Sequence, residues 1–143
     1  MSRKSLIDTG FLLAAMDASD QHHAECAKSY RLMAKDALLP DVVLPELAYL
    51  LKRELGVKAL ATLLRLVANG KFEIVRSMDL DFRRAAELIE QYDDINIDMV
   101  DAVIVALAER LKIGTVLTVD RRHFGMFKPT HCDAFEILPT KSA

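Results

Sequence analysis

Four carboxylates in this chain sit in apolar surroundings that solvation does not explain. Asp8 lies between Leu6–Ile7 and an apolar run from Phe11 to Met16 in SLIDTGFLLAAMD. Glu46 stands in LPELAYLL, Asp101 in MVDAVIVALA, and Asp120 ends the β-branched run TVLTVD. An ionised carboxylate is costly to bury unless something pairs with it, and acids on apolar helices are rare without a partner. Taken singly, each has a plain structural reading. Asp8 suits the N-cap of the helix that follows it. Glu46 complements a helix dipole, Asp101 pairs with an N-cap Asp98 in the first turn, and Asp120 opens a turn with Arg121. Asp-Thr-Gly alone also fits half of an aspartic protease dyad or a carboxylate at a strand end. Together, four acids from separate elements repel one another unless a cation joins them. Oxygen donors of this kind suit Mg²⁺ or Mn²⁺. The lack of cysteine ligands or paired histidines argues against zinc. Such sites hydrolyse phosphodiesters, and metal ions would supply the positive charge that the chain as a whole lacks.

The elements that must carry these acids follow from periodicity. Short strands are expected at Leu6–Ile7, 37–39, 72–75, 115–119 and 135–138. Helices are expected over 11–16, 22–34, 42–55, 57–68, 82–92 and 100–111, with Pro45 in a first turn, Gly56 and Gly70 as stops, and Gly114 after the last. Alternation of apolar strands with helices predicts an α/β domain with a mainly parallel sheet covered on both faces. In open sheets of this kind ligands bind beyond the carboxyl ends of the strands, which is where Asp8 and Asp120 fall. The long helical stretches oppose the aspartic protease reading, which needs a mostly β chain. A haloacid dehalogenase-type phosphatase needs D-x-D after the first strand, and Gly10 stands at the second position.

Bulk properties agree. The 143 residues, 52% hydrophobic and 28% charged, predict one globular domain over 1–143. The formal net charge of −2 supplies no general basic field for nucleic acid. Cys26 and Cys132 stand alone, no run approaches the ~20 apolar residues of a membrane span, and the N-terminus is a poor signal peptide. A cytoplasmic protein with no membrane association is expected.

The segments SLIDTGFLLAAMD, DQHHAECA, LPELAYLLKRELG and DMVDAVIVALAERLKIGTVLTVDRRHF together resemble a PIN domain, most closely the VapC-like toxins of type II toxin–antitoxin pairs. The last block carries most of the likeness: Asp-Ala on a helix, a glycine turn, then T-x-D followed by R-R-H-F. The resemblance implies a three-layer α/β/α sandwich and a Mg²⁺- or Mn²⁺-dependent ribonuclease. It assigns the acidic site to Asp8, Glu46, Asp101 and Asp120. It further implies a homodimer and a cognate antitoxin protein covering the active-site groove; with metal-activated water and not the 2′-hydroxyl as nucleophile, the expected products carry a 5′-phosphate and a 3′-hydroxyl. Gly10 departs from the family, which often has Ser or Asn there. A non-catalytic PIN-like module acting through a protein partner is the competing reading.

Around the four acids, Thr9 and Thr118 are placed to hydrogen-bond Asp8 or Asp120 and so orient them; for Thr118, ordinary strand packing is the alternative. Asp98 reads as an N-cap rather than a ligand. Arg121, Arg122 and His123 follow Asp120 and read either as phosphate contacts beside the metals or as a solvated turn. His22 and His23 read as surface residues, and Met33, Met78 and Met126 as core filler. The apolar helices over 42–68 offer a hydrophobic face for a second subunit or an antitoxin helix.

Overall fold

The computed structural model describes residues 3–140. Five short strands, β1 (Ser5–Ile7), β2 (Ala37–Pro40), β3 (Glu73–Val75), β4 (Thr115–Leu117) and β5 (Glu136–Leu138), form one sheet in the order β3-β2-β1-β4-β5. All four pairings are parallel. Parallel neighbours require crossovers, and the helices supply them. These are α1 (Thr9–Met16), α2 (His23–Met33), α3 (Val43–Leu55), α4 (Val57–Ala68), α5 (Asp79–Gln91), α6 (Met99–Leu111) and α7 (Arg121–Met126). The sheet grows outward from β1 through β2 to β3, then returns to the other side of β1 for β4 and β5. Right-handed crossovers then put α1–α4 on one face and the later helices on the other. The packing divides the same way: α1 lies on α2 and α3, α3 on α4, and α5 on α6. The chain is thus an α/β/α sandwich, as its sequence pattern predicts.

The central strands β1, β2 and β4 are wholly buried, while the edge strands expose Glu73, Ile74 and Glu136. α6 is buried at every position from Val100 to Glu109, so it reads as a near-continuous apolar run rather than an amphipathic one. Two acids interrupt that run, and their environments differ. Glu109 accepts from Arg84 Nε at 2.7 Å and from the Thr130 backbone N–H at 3.0 Å. Asp101 has no such cation among the described residues. On α5 the fully buried Asp81 is held by Arg110 through bonds of 2.9 Å from Nε and 2.9 Å from Nη2.

Several boundaries move. β4 stops at Leu117 and not at Val119, because Thr118 turns the chain out of the sheet: its hydroxyl accepts from the Asp120 N–H at 2.9 Å. The segment expected as a turn after Asp120 is a helix, α7. α5 starts at Asp79 because Asp81 accepts from the Met78 N–H at 2.8 Å and closes its first turn. Met78 and Met126 are exposed and fill no core. His23 is half-buried, its Nδ1 2.8 Å from the Ala14 carbonyl, where it ties α2 to α1.

Sheet order reverses between β1 and β4. Neighbouring crossovers there leave in opposite directions, and a crevice opens at the carboxyl ends of those two strands. The Asp8 N–H donates to the Leu117 carbonyl at 2.9 Å and forms the last rung before the crevice.

Candidate metal centre

Asp8 follows β1 directly and caps α1. Its backbone is extended, with φ −87° and ψ 157°, and its Oδ1 accepts from the Thr9 N–H at 2.8 Å. Its Oδ2 accepts from the Thr118 hydroxyl at 2.7 Å. That one hydroxyl therefore joins the two strand ends, donating to Asp8 and accepting from the Asp120 N–H. Thr118 thus makes a hydrogen bond of the kind expected of it. Thr9 does so only through its backbone: its Oγ1 is buried and has no hydrogen-bond partner among the described residues.

Asp120 caps α7, its Oδ1 accepting from the His123 N–H at 3.0 Å and its Oδ2 lying 2.9 Å from His123 Nδ1. Asp98 caps α6 by accepting from the Asp101 N–H at 2.9 Å, and Asp101 reaches back to the Asp98 N–H at 3.4 Å. The structural and functional readings of these acids are therefore compatible. Each uses part of its acceptor capacity to start a helix, and each stands at the crevice. Glu46 enters from the first turn of α3, half-buried and without a hydrogen bond among the described residues.

All four acids line one cavity of about 290 Å³, together with Thr9, Asp98 and His123. Donor atoms of Asp101, Asp120 and His123 lie within 4.8 Å of one another. His123 was not expected in this group. Its signal was the three-residue spacing from Asp120, which places both on one face of a helix once α7 is recognised. Arg121 and Arg122 do not line this cavity. Arg121 donates to the Pro139 carbonyl at 2.7 Å, and both arginines face a neighbouring cavity.

Electrostatics in the cavity favour a cation. Asp8 and Asp101 are 7% and 8% exposed and have no cationic partner among the described residues. Burial lifts the Asp8 carboxyl to about 6, against the opposing hydrogen bonds from Thr118 and Thr9, with the charges of Asp120 and Asp98 adding to the rise. Burial, Asp98 and Asp8 drive Asp101 strongly upward as well. Mutually repelling carboxylates around a small space are stabilised by a divalent ion more directly than by protons. The donor set, mostly carboxylate oxygen with an unpartnered hydroxyl at Thr9, fits Mg²⁺ or Mn²⁺.

Gly10 is explained by its neighbour. A Cβ added there would lie 3.1 Å from Val119 Cγ2. The valine that walls the cavity would have to give by a few tenths of an ångström to admit a Cβ at position 10.

Comparison with known proteins agrees with this architecture. The family model described as PIN domain matches residues 5–126. Ribonuclease VapC26 of Mycobacterium tuberculosis is 34% identical over 134 residues, 94% of this chain and 99% of that protein. Among solved structures, the fold superposes on M. tuberculosis VapC20, a sarcin–ricin loop cleaving toxin, with a TM-score of 0.73 at 20% identity, covering 79% of this chain and 87% of that one. DNA-bound VapBC from Salmonella typhimurium gives a TM-score of 0.71 at 14% identity, covering 94% and 98%.

Proposed function

The chain belongs to the PIN-domain family, and from that premise we propose that it is a metal-dependent endoribonuclease, the toxin of a VapBC-type toxin–antitoxin pair. The observation that carries the proposal is the convergence, at the sheet's switch point, of Asp8, Glu46, Asp101 and Asp120 around one cavity with no cationic side chain among the described residues paired to Asp8 or Asp101. The relative VapC26, matched over nearly its full length, is named a ribonuclease.

In this reading Asp8, Glu46, Asp101 and Asp120 hold one or two Mg²⁺ or Mn²⁺ ions. A divalent ion in such a site supplies Lewis acidity toward the phosphodiester and lowers the pKa of water. The protein's own groups do the positioning. Thr118 fixes the Asp8 carboxylate and ties it to the start of α7. The Asp98 N–H steadies Asp101, and His123 orients Asp120. Glu46 closes the site from α3. Water is the nucleophile, so the products carry a 5′-phosphate and a 3′-hydroxyl.

The whole chain is read as one nuclease domain, since β5 completes the sheet beyond the family match. A homodimer or an antitoxin helix would cover the α3–α4 surface, where Tyr49, Val57 and Leu64 are more than half exposed. No helix among the described residues is long and apolar enough to cross a membrane, and a cytoplasmic setting is where RNA and an antitoxin would meet it.

The decisive experiment is incubation with total cellular RNA and Mn²⁺, with and without EDTA, followed by mapping of the cut ends. EDTA-sensitive cuts bearing 5′-phosphates are expected. Ends with 2′,3′-cyclic phosphate overturn the mechanism, and RNA left untouched by the metal-loaded protein favours a non-catalytic module.

A further inference from the structure

A second cavity of about 500 Å³ adjoins the carboxylate site and shares Val119 with it as a wall. It lies at the carboxyl ends of β4 and β5, closed by α2 on the far side. Its size is in the ~300–1,000 Å³ range of small-ligand pockets. Its chemistry is opposite to that of its neighbour. Arg121 and Arg122 supply two guanidinium groups, and His22, just before α2, and Glu25, in its first turn, line the same cavity. Val119 and Pro139 supply apolar surface. Arg121 is already anchored on the Pro139 carbonyl, which leaves its planar group held rather than free. Arg122 makes no hydrogen bond or ion pair among the described residues. Glu25 lies 3.6 Å from His22 Nδ1 and belongs to no salt bridge with lysine or arginine there.

Because the two cavities share Val119 as a wall, an RNA strand lying across the carboxylates would run on into the second one. We propose that the cavity is a subsite for one nucleotide flanking the cut, with Arg122 on its phosphate, its base against Val119 and Pro139, and Glu25 reading the N–H edge of that base. A guanidinium takes phosphate oxygens in a fork. A carboxylate repels phosphate and accepts only from donors, and in the proposed pose the donors it meets are those of the base edge. Guanine presents N1–H and the N2 amino group side by side, two donors for two carboxylate oxygens, and is the base this wall prefers. The inference rests on the ribonuclease reading for the position of the cut.

The test has two arms. In the first, a fluorescein-labelled single-stranded RNA 12-mer is titrated in EDTA and anisotropy is read across a salt series. R122A weakens binding about tenfold and makes the slope of log K against log salt shallower by about 0.7, the share of one phosphate contact on a single strand. R122K keeps the slope, because the charge remains. In the second arm, cut sites in total RNA with Mn²⁺ are compared. The wild-type map is enriched in G next to the cut, and E25Q flattens that enrichment while cutting continues. Both positions are at least partly exposed, and equal melting temperatures confirm that the variants fold. Cleavage by the wild type with an unaltered salt slope in R122A, or an unaltered G enrichment in E25Q, overturns the subsite and leaves the ribonuclease reading standing. A wild type that cuts nothing but binds RNA with the Arg122-dependent slope overturns the ribonuclease reading and supports the phosphate contact.

Discussion

Replacing Asp8 by asparagine is expected to make the metal-free protein more stable near neutral pH while removing its activity. In the folded chain the Asp8 carboxyl keeps its proton up to about pH 6, against 3.8 for the ordinary group. Between those values the folded state holds a proton that the unfolded chain has released. Folding stability therefore falls as pH rises through this window, and the loss is complete above about pH 7. At about 1.4 kcal/mol per tenfold change in proton affinity, the displacement amounts to about 3 kcal/mol. Asparagine carries no charge and escapes this penalty. It also turns one acceptor into a donor, which faces either the Thr9 N–H or the Thr118 hydroxyl and loses about 1 kcal/mol or somewhat more. The net gain is about 1–2 kcal/mol, which for a chain of this size raises Tm by about 3–6 °C. Thermal melts in EDTA at pH 8 and pH 4 provide the assay. The gain should be present at pH 8 and absent at pH 4, where wild-type Asp8 is itself neutral when folded. Equal Tm differences at the two pH values, or an Asp8→Asn variant less stable than wild type at pH 8, refute the argument that an unpaired buried charge sits at this strand end.

The two buried acids of α6 should respond in opposite ways. Asp101→Asn raises the metal-free Tm at pH 8, whereas Glu109→Gln lowers it by weakening the contact with Arg84, and urea titration of both separates the cases. Arg110→Ala should destabilise by about 3–5 kcal/mol because it strands the buried Asp81 charge, a loss readable as a lowered urea midpoint. Mn²⁺ should raise the wild-type Tm more at pH 8 than at pH 5, since its ligands must be deprotonated to bind; an equal shift at both pH values argues against carboxylate ligation. Gly10→Ala should crowd Val119, and the strain, about 1 kcal/mol, should disappear in the Gly10→Ala/Val119→Ala double variant; additive effects in that cycle refute the contact.

Much of the fold was legible because α/β alternation is written in local pattern. The strand TVL lies between a glycine turn and a threonine that bends the chain away, and α6 announces itself by length and apolarity. The four acids were legible for a different reason: each breaks an apolar context. That same signal is ambiguous. Glu109 breaks an apolar run too, and it is structural, because Arg84 reaches it from 25 residues away; the buried Asp81, in the charged stretch SMDLDFRR, is answered by Arg110 from 29 residues away. Whether an acid is answered by a cation is a property of tertiary structure, invisible to a local window. α7 was missed because six residues containing two arginines and a glycine carry little helical periodicity; the Asp120 cap starts it, and the burial of Phe124 against Phe127 and Phe135 holds it. His123 was lost with it. Gly10 could be seen as a departure in the sequence, but its cause, Val119, lies 109 positions along the chain and only the folded structure brings the two together.

Three of the site's acids also cap or brace a helix, and this shapes how the sequence can drift. Asparagine caps a helix as well as aspartate does, and the two are separated by a single base change in the codon. A lineage carrying this fold can therefore lose its charge at Asp8 or Asp120 in one mutational step without losing its shape, and at Asp8 it would even gain stability. Descendants that keep the crevice and its neighbouring cavity but lack one of the crevice's charges are within one substitution of this sequence.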